Sequence, residues 1–93
     1  MASAENDLEA RQRLLLDLHR HLVGNGLHVT IRRPHNGIWK LKIRRGLWTE
    51  TVMCAGAEGV YVFVTPHGRL LGSTDDLHGV IDLIQFMVNR RQR

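Results

Sequence analysis

The sequence carries its densest charge at residues 31–46, which read IRRPHNGIWKLKIRRG. This segment holds six of the chain's thirteen Lys and Arg residues and no Asp or Glu. Clustered guanidinium and ammonium groups bind anions, either the carboxylates of an acidic protein or the phosphates of a nucleic acid. The candidate residues for binding a partner or an anion are Arg32, Arg33, Lys40, Lys42, Arg44 and Arg45.

The pattern within this segment predicts a β-hairpin. Residues 35–37, HNG, suit a three-residue loop with the glycine in the left-handed conformation, and apolar residues alternate with polar ones on both sides of it. The resulting register pairs Val29 with Ile43 and Ile31 with Leu41 on the core side. On the other side it pairs Arg32 with Lys40, Thr30 with Lys42 and His28 with Arg44.

Three roles are open for this basic face. Like charges directly opposite one another destabilise a sheet, so the cations are either relieved by neighbours such as Glu50 or kept for an anion. A solvated face of Lys and Arg also discourages association between sheet edges, which is the first role. An acidic protein or peptide is the second, and nucleic-acid phosphate is the third.

Nucleic acid is the less favoured of the two anionic ligands. Base stacking needs exposed aromatic side chains, and Trp39 falls on the apolar side of the hairpin, where we expect it to be part of the core. A domain that binds double-stranded RNA would also need lysines where the second helix begins with Asp75 and Asp76.

Six histidines raise the question of a metal site. His19 and His21 lie two residues apart on a predicted helix, which separates them by about 200° around its axis. No two histidines are spaced four apart, and the other four fall in different segments. With Cys54 as the only thiol, a zinc site would have to be assembled from several elements. We therefore expect neither a metal ion nor a cofactor.

Cys54 and Glu50 are the remaining candidates for catalysis. Both fall on one face of the third predicted strand, together with Trp48 and Val52. A buried structural thiol is the simplest role for Cys54. A carboxylate amid these apolar residues must be paired, and we expect an arginine of the hairpin to pair with it. Because the sequence contains no glycine-rich phosphate loop, nucleophile elbow or paired carboxylates, we expect a protein that is not an enzyme.

Composition places the chain among ordinary globular proteins. We expect one domain, residues 1–93, with flexible ends at 1–5 and 90–93. The chain is 43% hydrophobic, and its net charge of +4 favours acidic partners modestly. A single cysteine fits a reducing compartment, no apolar run is long enough to span a bilayer, and acids stand where a signal peptide would need basic residues. These features predict a cytoplasmic protein without membrane contact.

Periodicity places the elements that position these residues. Asn6 and Glu9 form a capping box before a stripe of leucines, and the GNG at 24–26 ends this first helix. The run Ser73-Thr74-Asp75-Asp76, a hydroxyl cap followed by acids in the first turn, begins the second helix. Period-two alternation predicts strands at 27–32, 39–44, 48–55, 60–65 and, more briefly, 69–71, with a flexible turn at 55–59. The order α-β-β-β-β-(β)-α predicts an α+β two-layer sandwich, in which an antiparallel four- to five-stranded meander carries both helices on one face.

The run from residue 50 to residue 84, ETVMCAGAEGVYVFVTPHGRLLGSTDDLHGVIDLI, contains a set of short motifs. They are Gly26-Leu27 upstream of it, Glu50-Thr51 with Cys54, the aromatic strand of Tyr61 and Phe63, and Gly68 before Asp75-Asp76. Through them the chain, from about residue 14 to 88, resembles a group of small actinobacterial α-β(4-5)-α proteins, although those often have tryptophans where this chain has one Tyr and one Phe. The group has no assigned activity, so the resemblance implies a fold and no site residues.

The apolar content exceeds what one sandwich covers. The fourth strand, VYVFV, is apolar at every position, so that either its aromatic residues or its valines face away from the helices. Leu83 and Phe86 fall off the main stripe of the second helix. Excess apolar surface in so small a chain suggests a partner, most simply a second copy related by a two-fold axis. The expected dimer interface consists of Tyr61, Phe63, Leu83 and Phe86.

Together these observations predict a non-enzymatic protein–protein interaction module, homodimeric, that docks another protein through its sheet face. The alternative is a nucleic-acid-associated accessory protein that binds phosphate through the basic hairpin at residues 31–46. Phosphate binding would weaken steeply between low and moderate salt, which separates the two hypotheses.

Overall fold

The computed structural model describes residues 5–35 and 37–90. In chain order these residues form α1 (Asp7–Gly24), β1 (His28–Arg32), β2 (Lys40–Arg45), β3 (Trp48–Ala57), β4 (Val60–Val64), β5 (Leu70–Ser73) and α2 (Leu77–Arg90). Of the ends that the sequence predicts to be flexible, residues 1–4 and 91–93 lie outside the described residues. Glu5, which precedes α1, accepts hydrogen bonds from the Arg13 guanidinium through both carboxylate oxygens, the shortest at 2.9 Å.

The five strands form one antiparallel sheet in the order β1-β2-β3-β4-β5. Both helices pack on the same face of the sheet, α1 across β1 and β3 and α2 against β5, and they touch each other. The core lies between these two layers. Its fully buried members include Leu18, Leu22, Leu41, Ile43, Phe63, Ile84 and Val88. The predicted α+β two-layer sandwich is confirmed, with five strands.

The register of β1 and β2 is the one that the alternation predicts, for the apolar pairs and for the polar pairs on the opposite face. The ladder ends at the pair Arg32 and Lys40, so residues 33–39 form a wider connection than the expected three-residue loop. Pro34 has no N–H with which to extend the ladder, which explains why the strands separate there. Asn36, at the centre of the predicted loop, lies outside the described residues.

The hairpin of β3 and β4 closes more tightly than the five-residue turn that the sequence suggests. Pairing continues to Ala57 opposite Val60, which leaves only Glu58 and Gly59 in the turn. Both have positive φ, 55° and 84°, as in a type I′ turn, whose twist matches that of the strands. Gly56 stands where no side chain fits, because a Cβ there would lie 2.2 Å from the carbonyl oxygen of Val60.

The turn between β3 and β4 is tied to the start of α1. Asp7 Oδ1 accepts hydrogen bonds from the Tyr61 hydroxyl at 2.6 Å and from the Glu58 N–H at 2.9 Å. The bond from Tyr61, followed by that from Glu58, lowers the pKa of Asp7, and the same contact with Asp7 raises the pKa of Tyr61. Nearby, Arg11 donates to the Gly56 carbonyl oxygen at 2.7 Å. Three hydrogen bonds therefore join the first turns of α1 to this hairpin.

One helix begins as predicted and the other does not. In α1 the capping box forms, because Asn6 Oδ1 accepts the Glu9 N–H at 2.8 Å and Glu9 accepts the Asn6 N–H in return. The hydroxyl cap predicted for α2 is wrong, since Ser73 ends β5 and Asp76 caps the helix by accepting the Gly79 N–H at 3.1 Å. In the described chain neither helix is long and apolar enough to cross a bilayer.

Candidate functional site

The helices cover one face of the sheet, and no element of the described chain packs on the other. Alternation along the strands decides which residues lie there, since Leu41 and Ile43 point to the core and the residues between them point away. We call this second surface the open face. Its side chains are those of His28, Thr30, Arg32, Lys40, Lys42, Arg44, Thr49, Thr51, Met53, Ala55, Ala57, Val60, Val62, Val64, Leu70 and Ser73.

The open face divides into a charged half on β1 and β2 and an apolar half on β3 to β5. The charged half contains Arg32, Lys40, Lys42 and Arg44, which we call the basic ladder. Arg32 lies directly opposite Lys40, and Lys42 is half-buried between Thr30 and Thr51 on the neighbouring strands. The structure thus brings four of the six predicted anion-binding residues onto one surface.

The other two predicted residues lie elsewhere. Arg45 follows the alternation to the helix side, where its cross-strand partner is Trp48. Arg33 has left the strand, and its guanidinium carbon stacks over the Trp39 ring, 5.6 Å from the ring centroid. Trp39 itself is partly buried and packs against the core, as predicted. Arg33 and Arg45 therefore lie outside the basic ladder, and Arg33 is engaged with an aromatic ring.

No acidic side chain shares the open face with the basic ladder. The nine Asp and Glu residues lie on or next to α1, on α2 or in the segment before it, in the turn after β3 or, for Glu50, on the helix side of β3. Within the described residues the side-chain ion pairs are Glu5 with Arg13 and Asp17 with Arg20, both at α1. The described chain therefore provides no carboxylate to offset the repulsion within the basic ladder.

Glu50 does not pair with a cation of the hairpin, and that prediction is wrong. Its partner across β2 and β3 is Ile43, so Glu50 points to the helix side while the basic ladder points the other way. The carboxylate is half-buried, accepts the Thr51 N–H at 3.2 Å and forms no ion pair with any described residue. It borders a cleft of about 350 Å³ that is also lined by Trp48, Arg69, Phe86, Met87 and Arg90, which we call the Glu50 cleft. Because the carboxylate borders this open cleft rather than a closed core, it does not need a buried partner.

The apolar half of the open face consists of Met53, Val60, Val62, Val64 and Leu70, which we call the valine patch. Val60 is 73% exposed and Leu70 is 60% exposed. The sequence leaves open whether the aromatic residues or the valines of β4 face outward, and in the structure it is the valines. The open face therefore offers a continuous apolar surface beside the basic ladder.

Two of the four residues predicted for the dimer interface are not on the surface of the described chain. Tyr61 and Phe63 are buried beneath the helices, where their large rings fill the space between the two layers. Leu83 is half-buried and packs against the core, whereas Phe86 is exposed on α2. The apolar surface that faces outward on β4 is the valine patch instead.

Cys54 lies in the core, where burial raises its pKa to about 11, and the positive charge of Arg11 offsets only part of this effect. At neutral pH it is a thiol rather than the nucleophilic thiolate, which favours a structural role. Among the described residues, no group of three His, Cys, Asp or Glu side chains is placed to hold one metal ion.

Reasoning from the sequence misses a second cleft, of about 220 Å³, between the first half of α1, the 33–39 connection and β3. We call it the α1 cleft. Its walls come from three elements that are far apart in the chain, so no motif or spacing in the sequence could indicate it. Arg11, which looks like an ordinary surface residue of an amphipathic helix, lines this cleft.

Comparison of the chain with protein-family models, with curated proteins and with solved structures finds no significant match. The resemblance to small actinobacterial proteins therefore stays a prediction.

Proposed function

We propose that this protein is a cytoplasmic, non-enzymatic interaction module that binds an acidic segment of another protein through the basic ladder. One observation carries the proposal: four cations project from a sheet face on which no described residue places a carboxylate. Like charges held side by side repel each other, which costs stability in the free protein. Bound carboxylates would remove this repulsion and form charge-assisted hydrogen bonds.

An acidic protein segment fits the open face better than a nucleic acid does. Proteins that bind single strands use exposed aromatic side chains on which bases stack. The open face of the described chain has none, since Tyr61 and Phe63 are buried and Trp39 packs against the core. Recognition by the basic ladder would therefore be electrostatic, without a platform for bases.

The test compares the binding of an eight-residue oligoglutamate by two triple variants of equal charge. Lys40→Gln, Lys42→Gln and Arg44→Gln together remove three of the four cations of the basic ladder, whereas Arg20→Gln, Arg69→Gln and Arg90→Gln remove three exposed cations from other surfaces. Exposed ion pairs contribute about 0.5 kcal/mol each, so the first variant should bind about tenfold more weakly and the second nearly as well as the wild type. Equal weakening by both variants, measured by fluorescence anisotropy, would show attraction by net charge alone.

Titration with a single-stranded nucleic acid, measured in the same way at several salt concentrations, tests the alternative, a nucleic-acid-associated accessory protein. The basic ladder also favours it, since its four cations can neutralise up to four phosphates. The logarithm of the affinity for a single strand should then fall with the logarithm of the salt concentration with a slope of about −3. A single strand that binds more tightly than oligoglutamate at about 0.15 M salt, with this slope, would favour the alternative.

We also propose that a second copy covers the valine patch and makes the protein a homodimer. A two-fold axis that runs along β4 between two stacked sheets brings the valine patches together. It also carries each basic ladder beyond the β5 edge of the other copy, so the two ladders do not face each other. Such a dimer would bury the exposed side chains of Val60 and Leu70 and leave both basic ladders free.

Sedimentation at micromolar concentration tests the dimer. The expected mass is twice the 10.6 kDa of the chain. Val62→Lys places a charge in the centre of the valine patch and should give a monomer, whereas Thr49→Lys, on β3 outside the valine patch, should stay dimeric. A wild-type protein that sediments as a single 10.6 kDa species would contradict the dimer.

A further inference from the structure

The α1 cleft lies on the helix side of the sheet, away from the basic ladder, and its walls are mostly apolar, with Arg11 and Gln12 as the charged and polar side chains. Leu15 and Cys54 are buried beneath it, and Trp39 forms part of one side. At its rim Leu8 is 50% exposed and Ile38 is 60% exposed. Apolar side chains that converge on one opening in this way lose contact with water when a ligand covers them, which is favourable for binding.

Arg11 is the charged residue among the described residues that line the cleft. It donates one hydrogen bond to the Gly56 carbonyl oxygen, and no described carboxylate forms an ion pair with it. Asp7, one turn away on α1, is already engaged by the Tyr61 hydroxyl and the Glu58 N–H. Because a guanidinium has five N–H donors, Arg11 keeps donors for a ligand while its bond to Gly56 holds it in position.

We propose that the α1 cleft binds a small monocarboxylic acid with an apolar body, whose carboxylate contacts Arg11 and whose body packs against Leu15 and Trp39. A single positive charge on an apolar wall matches a ligand with one negative charge and an apolar remainder. The volume of about 220 Å³ corresponds to about seven water molecules, which suits roughly ten non-hydrogen atoms. The proposal is independent of the open face, since no residue of the basic ladder or of the valine patch takes part.

The two tryptophans of the chain provide the measurement. Trp39 lines the α1 cleft and Trp48 lines the Glu50 cleft, so the indole N–H signals in an ¹H–¹⁵N spectrum report on each cleft separately. Titration with octanoate should shift the Trp39 signal to saturation and leave that of Trp48 in place. Octanol, which has the same chain and no charge, should bind about tenfold more weakly because it lacks the charge-assisted hydrogen bond. No saturable shift of Trp39 up to about 5 mM octanoate, or equal affinity for octanol, would overturn the proposal.

Substitution of Arg11 tests whether its guanidinium is the group that binds the carboxylate of the ligand. Arg11→Gln should lower the affinity for octanoate about tenfold, to that of octanol, and leave the affinity for octanol unchanged. The matched control Arg20→Gln, an exposed arginine elsewhere on α1, should change neither. Full octanoate affinity in Arg11→Gln would overturn the role of the guanidinium. Should Arg11→Gln fail to fold, Leu8→Ser at the rim is the second variant, and an unchanged affinity for both ligands would equally contradict the site.

Discussion

The β1–β2 hairpin and the β3–β4 hairpin belong to one sheet, but their ends are held very differently. The β3–β4 hairpin closes with a two-residue turn, which Asp7 ties to α1 by two hydrogen bonds. The β1–β2 hairpin opens into the 33–39 connection, and its outward side chains are cations that repel one another across the strands. We therefore expect the fold to depend on the tightly closed hairpin, and the charges of the other hairpin to contribute nothing to its stability.

The largest effect should come from Gly56→Ala. The added Cβ would lie 2.2 Å from the Val60 carbonyl oxygen, in a backbone with φ of 117° that side chains rarely adopt. We expect a loss of about 3 kcal/mol or more in the free energy of unfolding, measured by urea denaturation. Gly24→Ala is the control, since its Cβ meets nothing within 4 Å, and it should leave stability unchanged or raise it slightly. Equal stability of the two variants would mean that the tight closure of β3 and β4 is not needed.

A smaller effect, with a pH dependence, should come from Asp7→Asn. The pKa of Asp7 lies below its ordinary value near 3.8 in the folded protein, so its stabilisation is present above that value and is lost as the pH falls through the folded pKa. The raised pKa of Tyr61 means that the stabilisation from this contact is present below pH 10 and is lost as the pH rises through the folded value.

Melting temperatures across the pH range test this prediction. At neutral pH the melting temperature of the wild type should be higher than that of Asp7→Asn. The difference between the two melting temperatures should become smaller as the pH is lowered below about 3.8. Asp82→Asn, an exposed acid on α2, serves as the control and should follow the wild type more closely. A constant difference down to pH 2 would show that the carboxylate charge of Asp7 plays no part in holding the turn.

The smallest effect on stability should come from Lys40→Thr in the β1–β2 hairpin. Lys40 faces Arg32 across the strands without a described carboxylate nearby, and threonine suits a strand. The free energy of unfolding should stay constant or rise by up to about 0.5 kcal/mol, while binding of oligoglutamate weakens. A clear fall in the melting temperature would instead place Lys40 in a structural contact and would remove the contrast between the two hairpins.

Local patterns predicted those parts of the structure that depend on neighbouring residues. The register of β1 and β2 followed from the alternation of apolar and polar residues around one loop, and the capping box from Asn6 and Glu9 three residues apart. Each of these features is decided within a short stretch of chain. The position of the basic ladder on one face belongs to the same class, because it follows directly from the register.

The features that the sequence did not reveal depend on distant contacts or on shape. VYVFV is apolar throughout, so the alternation of apolar and polar residues cannot show which of its side chains point to the core. The space between the two layers decides it, and the rings of Tyr61 and Phe63 lie inside. The contacts of Asp7 with Tyr61 and Glu58 join residues more than fifty positions apart. The pairing predicted for Glu50 assumed a closed core at a place where the structure has a cleft.

The order of the strands in the sheet has a consequence for how the chain folds. Every strand pairs only with its immediate neighbours in the sequence, so the sheet can assemble through short loop closures of low entropic cost. The contacts that span the chain involve the helices: Asp7 of α1 bonds to Glu58 and Tyr61, and Gln85 of α2 donates to Asn25, which follows α1, at 3.2 Å. We therefore expect the meander to collapse early, and the docking of α1 beside α2 to be the late step that completes the native structure.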